Sequence, residues 1–337
     1  MLTSFHSDKK KKQVNRKSAL ALLKTLRKFE LINPLCKCYR REYSSMKIKN
    51  AKTGDYLLID THVGASLIEL NLSGLPLIDL PGSANHPLTS NPYHPSALLT
   101  PWVNRVRNGN YSFKGKNYQL PINEQALGNA IHGLLARVSF ETVQQTPESI
   151  VLEHIYKGDE PNYPFPFTFR YTYILLNEGG LQITFEAKNN GPTSMPFACG
   201  WHPYFCFPDT SVEDLAIKFH PISRFISDSQ MIPLKEENLD GQTKFIFSQE
   251  KVDHVFRLEP YAKHITEFID QKHKRSLYLE QSSEQFPFLV VFQPEGFTSV
   301  AIEPMTANTD AFNTGDGLLE LAPLEVFSGQ IRLSIGK

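Results

Sequence analysis

Phe167-Thr168-Phe169-Arg170-Tyr171-Thr172-Tyr173-Ile174-Leu175-Leu176-Asn177-Glu178-Gly179-Gly180-Leu181-Gln182-Ile183-Thr184-Phe185-Glu186-Ala187-Lys188 is the stretch whose reading decides the fold class. On either side of Asn177-Glu178-Gly179-Gly180, residues 167–176 and 181–188 alternate apolar with polar or small side chains. A period of two is that of a pleated strand with one buried face. Two such runs joined by a short, glycine-containing connector predict an antiparallel hairpin.

Outward from this hairpin the same grammar recurs. Residues 46–50 and 56–60 read as strands around Thr53-Gly54, followed by 65–72 and the turn Ser73-Gly74. Between 101 and 120, Asn108-Gly109 and Lys114-Gly115 predict two hairpin turns. Downstream, 214–220, 276–280, 289–293, 298–303 and 325–335 read as strands and 228–241 as a polar loop, while Glu303 ends a strand at the mouth of a polar loop over 304–315. With 23 Pro, 19 Gly, 23 Phe and 13 Tyr among 337 residues, many short strands joined by turns are favoured over helices. No fixed-period repeat and no strong amphipathic helix follows residue 45. The expectation is one all-β domain over 46–337, with about 15–20 antiparallel strands in a curled sandwich.

Charge divides the chain at the same place. The protein is neutral overall, yet residues 1–45 hold 12 Lys/Arg against 3 Asp/Glu, a net of +9 that leaves −9 on 46–337. An acidic body is a poor nucleic-acid binder. Residues 1–17, with the Lys9-Lys10-Lys11-Lys12 block, read as disordered, and 18–31 as a short helix. Residues 1–45 are therefore expected to be a basic extension, or sequence upstream of a start at Met46. No apolar run approaches the ~18 residues of a membrane helix. Cys36, Cys38, Cys199 and Cys206 make no disulfide framework and no zinc spacing, which points to a reducing, cytoplasmic setting. No P-loop, dinucleotide fingerprint, His-Glu-x-x-His or Gly-x-Ser-x-Gly motif occurs.

Four residues stand out for chemistry, each beside an expected strand end and flanked by glycine, proline or aromatics. His202 lies in Cys199-Gly200-Trp201-His202-Pro203-Tyr204-Phe205, where apolar neighbours dry the site, Gly200 lets the backbone bend and Pro203 fixes φ. An imidazole held among aromatics suits proton transfer. His132 lies in Asn129-Ala130-Ile131-His132-Gly133, Asp253 in Lys251-Val252-Asp253-His254-Val255-Phe256, and Glu303 in Ile302-Glu303-Pro304.

In the order Asn104-Arg105, Asn129 to Gly133, His202-Pro203-Tyr204-Phe205, Asp253-His254-x-Phe256, Glu303, these segments resemble the aldose 1-epimerase (mutarotase) family. Tyr111-Ser112-Phe113-Lys114-Gly115 and Asp310-Ala311-Phe312-Asn313 resemble further segments of it. The resemblance spans most of 46–337 and implies a galactose mutarotase-like β-sandwich with an open sugar cleft and neither cofactor nor metal. It implies that Glu303 is the base at the anomeric hydroxyl and His202 the acid at the ring oxygen of an aldohexose. Arg105, His132 and Asp253, with Asn104 beside them, would hold the sugar. Gly200-Trp201 and Pro304-Met305 depart from what many mutarotases carry, which bears on the preferred sugar more than on the reaction. The expected activity is interconversion of the α and β anomers of a free aldose. One alternative is a hexose-6-phosphate 1-epimerase, for which Arg105, Arg107 and Arg137 are candidate anion ligands. Another is a non-catalytic sugar-binding sandwich with Trp102, Tyr204 or Phe256 under the ring.

Overall fold

A computed structural model describes residues 45–260 and 263–336. Apart from Ser45, the expected basic extension and its helix at 18–31 lie outside the described residues. The central hairpin forms as expected, Phe167–Leu175 pairing antiparallel with Leu181–Asn189 in the register Phe167↔Asn189 to Leu175↔Leu181. Its apolar phase, from Phe167 and Phe169 to Ile183 and Phe185, is wholly buried. Polar residues such as Arg170 and Lys188 face out.

This hairpin supplies the third and fourth strands of one nine-stranded antiparallel sheet. In spatial order it runs Glu141–Gln145, Ser149–Tyr156, Phe167–Leu175, Leu181–Asn189, Val326–Gly336, Arg275–Gln281, His264–Asp270, Leu215–Lys218 and Lys244–Ile246. A second nine-stranded sheet runs Pro233–Asn238, Pro221–Ser227, Asp253–Leu258, Phe288–Phe292, Val300–Met305, Gly200–His202 and Ala97–Leu99. Tyr204–Phe205 pairs with the start of Val300–Met305 and carries Ile78–Asp79 on its other side.

One core cluster contains the inner faces of both sheets, with Ile183, Phe185, Leu277 and Leu279 from the first and Trp201, Phe256, Leu289, Val291 and Ile302 from the second. Phe256 meets Phe219 and Phe245 edge-on, at 5.0 and 5.3 Å between ring centroids. Each side chain so buried contributes roughly 1.5–3 kcal/mol. Val300 and Ile302 point into this core, so the two-residue period sends Ala301, Glu303 and Met305 to the opposite face of the second sheet. That face has its own smaller apolar cluster, including Leu99, Val103, Phe225, Val255, Phe288, Val290 and Met305. The all-β sandwich is therefore as expected, and the second sheet is covered on both faces.

Several local expectations are corrected. The described residues form 28 strands, more than the 15–20 expected, because pairs such as Arg105–Val106 with Ala130–Ile131 are too short to alternate visibly. Asn108-Gly109 makes no hairpin: it lies in the 3-10 segment Arg107–Gly109, while Lys114-Gly115 does join Asn110–Phe113 to Lys116–Gln119. The polar stretch 228–241 includes the strand Pro233–Asn238, whose charged side chains suit its place at a sheet edge. Glu303 lies inside Val300–Met305 rather than at its end. The α-helix Ala311–Thr314 is a single turn, and no described helix is long and apolar enough to cross a membrane.

Candidate active site

Glu303 stands opposite Val290 in its strand pair and is 2% exposed. Its neighbour His202 ends the strand Gly200–His202, which pairs with Val300–Met305 through Gly200↔Met305. Gly200 serves close approach rather than a bend. A Cβ there would lie 2.8 Å from the carbonyl oxygen of Pro304 and 3.0 Å from the Met305 side chain. Trp201 turns into the inter-sheet core, so His202 turns the other way, toward Glu303. The separation His202 Nε2 to Glu303 Oε1 is 3.3 Å. Tyr204 lies 5.0 Å from the His202 ring, and its hydroxyl donates to the Tyr93 carbonyl at 2.9 Å.

His132 arrives from the short strand Ala130–Ile131. Its backbone is left-handed (φ 62°) and its N–H donates to the Asn104 carbonyl at 2.9 Å. Gly133 holds it there, since a Cβ on that residue would fall 2.0 Å from the Thr100 carbonyl oxygen. The His132 ring meets His202 edge-on at 5.2 Å and His94 at 4.8 Å. Asn104, His94 and Ser96 are also left-handed. Strain of order 1–3 kcal/mol at each such non-glycine residue is characteristic of functional sites.

Arg105 is fixed by Glu124, whose carboxylate accepts from Nε and Nη2 at 2.8–3.1 Å, and by Asn104 Oδ1, which accepts from Nη1 at 3.1 Å. Of its five N–H donors, two are left for a ligand. Asn129 Nδ2 donates to Glu124 at 3.1 Å and steadies the clamp. Asp253 opens the strand Asp253–Leu258, opposite Phe292 and on the same face as Glu303. Arg107 pairs with Asp228 at 2.6 Å. Phe256 lies in the inter-sheet core and Trp102 packs against Tyr163 and Phe312, so neither offers a face to a sugar.

Burial dominates the electrostatics. It drives the Glu303 carboxyl well above its usual range, helped by the Asp253 charge and opposed by Arg105. It lowers His202 to about 3, His94 to about 4 and His132 well below its ordinary value. Asp253 is raised for the same reason. Glu303 Oε2, His202 Nδ1 and His132 Nδ1 are buried without a hydrogen-bond partner among the described residues. Buried polar atoms are normally satisfied, so three such atoms on adjacent side chains indicate a place for a polar ligand.

Residues 52–334 match the aldose 1-epimerase family model. The chain belongs to that family. It is 30% identical to the uncharacterized protein YihR of Escherichia coli K12 over 299 residues, covering 86% of this chain and 94% of the relative. A maltose epimerase of Levilactobacillus brevis is 29% identical over 167 residues, or 47% of this chain and 48% of that enzyme. The fold is shared with a galactose mutarotase-like protein of Clostridium acetobutylicum, at TM-score 0.74 and 21% identity, covering 86% of this chain and 95% of the other. It is also shared with the GalM/aldose epimerase homologue of C. elegans, at TM-score 0.75 and 17% identity, covering 87% and 98%.

Within this epimerase fold the residues singled out from sequence converge. His202 and Glu303 are in contact, His132 packs on His202, Asn104 holds both His132 and Arg105, and Asp253 shares the face of Glu303. Sequence reasoning singled out neither Glu124 nor His94. No local signal marks Glu124, because its partner Arg105 is brought to it by the turn that pairs Arg105–Val106 with Ala130–Ile131. A left-handed histidine beside Pro95 leaves no trace in hydrophobic pattern either.

Proposed function

We propose that this protein is an aldose 1-epimerase, interconverting the α and β anomers of a free aldose by ring opening and reclosure. The observation that carries the reading is the buried His202–Glu303 pair, 3.3 Å apart on the face of the sheet remote from the inter-sheet core. Glu303, as carboxylate, takes the proton of the anomeric hydroxyl while His202, as imidazolium, gives a proton to the ring oxygen. The C1–O5 bond breaks as the C1 carbonyl forms, rotation about C1–C2 presents the other face, and the reverse transfers close the ring. No nucleophile is needed.

Burial alone favours the neutral carboxylic acid and neutral imidazole. Arg105 favours the Glu303 carboxylate, and sugar hydroxyls entering between the two groups solvate the charged form. Arg105, oriented by Glu124, is assigned to sugar hydroxyls together with Asp253, His132 and Asn104. We place the activity in the cytoplasm, since Cys199 and Cys206 are free thiols, Cys199 fully buried.

Anomer exchange followed by NMR tests this. Glu303→Gln keeps shape but cannot accept a proton, and should lower kcat by about 10²-fold or more, roughly 2.7 kcal/mol of barrier, while sugar still binds. His202→Asn should act alike, with the double variant far from additive. Retention of most of the exchange rate in Glu303→Gln would remove the assignment.

A further inference from the structure

The strand that carries Glu303 runs on into a polar stretch that stays buried. Thr306, Asn308, Thr309 and Asp310 are each 6% exposed or less, although they follow the last residue of Val300–Met305. Connecting segments mostly run over the surface, because buried polar groups must all find partners. Here the partners come from three separate parts of the chain. Thr306 N–H donates to the Cys199 carbonyl at 2.9 Å, and Cys199 N–H donates to Thr306 Oγ1 at 2.9 Å. Asn308 N–H and Nδ2 donate to the carbonyl and carboxylate of Asp316, at 3.0 Å each, and Arg257 Nη2 donates to that carboxylate at 2.9 Å. Asp310 reaches the site itself. Its N–H donates to the Arg105 carbonyl at 2.7 Å, and its Oδ1 accepts from Arg107 N–H at 2.9 Å.

Asp310 is left-handed (φ 61°), a conformation that a residue with a side chain adopts at a cost. Asn313 Nδ2 donates to the same Oδ1 at 2.8 Å and steadies the carboxylate from its own turn. Among the described residues no cation pairs with Asp310, since the Arg107 guanidinium goes to Asp228. This carboxylate thus acts on backbone geometry. Arg105 needs such a support. Its strand, Arg105–Val106, is two residues long and pairs with the equally short Ala130–Ile131. A ladder of that length is a weak constraint. The Arg105 carbonyl and the Arg107 N–H flank Val106, and Asp310 holds both. Glu124 and Asn104 then orient a guanidinium whose backbone is already fixed.

We propose that Asp310 is a positioning residue: from the buried strap that follows Glu303 it fixes the backbone of residues 105–107, and so sets where the Arg105 guanidinium stands relative to Glu303. The inference rests on the epimerase reading above for what Arg105 does, and on the hydrogen bonds alone for what Asp310 does. One continuous segment then carries Glu303, fastens to the strand leading to His202 through Thr306 and Cys199, and ends on Arg105. Glu303, His202 and Arg105 are spaced by that segment, although they come from distant parts of the sequence.

Two readouts test this, and the first needs no activity. Exchange of the Arg105 Nε–H with water is followed by NMR, the signal being identified by its loss in Arg105→Lys. Arg275, on the first nine-stranded sheet with its Nε donating to Asp270 at 2.7 Å, is the internal control. Asp310→Gly keeps a left-handed backbone without strain and removes the carboxylate. It should speed Arg105 Nε–H exchange about fivefold or more and leave Arg275 unchanged. Asp310→Asn tolerates the same φ and offers the same acceptor, so it should restore the wild-type rate. Asp310→Ser, with a weaker acceptor set further back, carries the same test if the glycine variant does not fold. The second readout is kcat/KM for anomer exchange of glucose, galactose and maltose. For each sugar that turns over, Asp310→Gly should lower it about fivefold or more and Asp310→Asn should restore it. In an Arg105→Ala background the glycine substitution should add less than about a twofold loss, because the group it positions is gone. Unchanged Arg105 Nε–H exchange in Asp310→Gly, an equal rise at Arg275, or a full further loss of kcat/KM beyond Arg105→Ala would overturn the proposal. Absence of exchange with all three sugars would remove the epimerase reading, and the Arg105 Nε–H measurement would still decide the part played by Asp310.

Discussion

At the scale of single residues, His202 and Glu303 form a unit that holds one proton. Burial opposes both the carboxylate and the imidazolium, so the native pair carries a single proton whichever group bears it. In the unfolded chain the two groups titrate near 4.5 and 6.5, and between those values they also carry one proton together. Above 6.5 the unfolded chain loses that proton while the native pair keeps it. The native state then binds more protons, and stability falls as pH rises, by up to ~1.4 kcal/mol per unit. Glu303→Gln has no such proton to retain. Urea unfolding between pH 6.5 and 8.5 should therefore show the wild type losing stability relative to Glu303→Gln, and parallel curves would contradict a retained proton. Below 6.5 the sign reverses for His94 and His132, which are neutral when folded and charged when unfolded, so acid destabilises. On the proposed mechanism the pair must hold one proton, not two or none, so activity should be bell-shaped in pH.

At the scale of elements, the contact between Gly200–His202 and Val300–Met305 sets the distance between His202 and Glu303. Gly200 permits it: the backbone there is not left-handed, and the missing Cβ is what lets the Pro304 carbonyl approach. Gly200→Ala should force the strands apart at a cost of about 1–3 kcal/mol, the usual range for overpacking. Because His202 is two residues along the same strand, kcat should fall more than the modest loss of stability would suggest. Folded Gly200→Ala protein with wild-type kcat would show that the strand spacing does not govern proton transfer. The two-strand clamp of Arg105–Val106 with Ala130–Ile131 plays a similar part for the side chains proposed to hold the sugar. It places Arg105 on Glu124 and feeds the chain directly into His132.

At the scale of the whole molecule, the second sheet is covered on both faces, by the inter-sheet core on one side and by the smaller apolar cluster around Phe288 and Val290 on the other. The face that carries Glu303 is thus assembled within 46–337, and the family match begins at residue 52. A shortened chain, 46–337, should fold and exchange anomers at the rate of the full protein, because the net of +9 on residues 1–45 and the acidic body lie on opposite sides of that boundary. Precipitation of the shortened chain, or loss of exchange, would assign the first 45 residues a part in the fold.

Local pattern determined much of this protein. The alternation from Phe167 to Ala187 specified a hairpin with one buried face, Lys114-Gly115 specified a turn, and the ordered motifs picked out His202, Glu303, Arg105, His132, Asp253 and Asn104. Period and turn chemistry are short-range properties, set by side-chain direction and φ within a few residues, and they survive in any fold that contains them. Tertiary structure decided the rest. Alternation states that Glu303 and Ile302 face opposite ways but not which one enters the core, since register is chosen by the burial of the whole sheet. Asn108-Gly109 had hairpin chemistry, yet Arg105–Val106 pairs with Ala130–Ile131 instead, because burying Val106 and Ala130 outweighs a local turn preference. The meeting of His94, His132 and His202 likewise depends on long-range packing at Thr100, which no window of sequence contains.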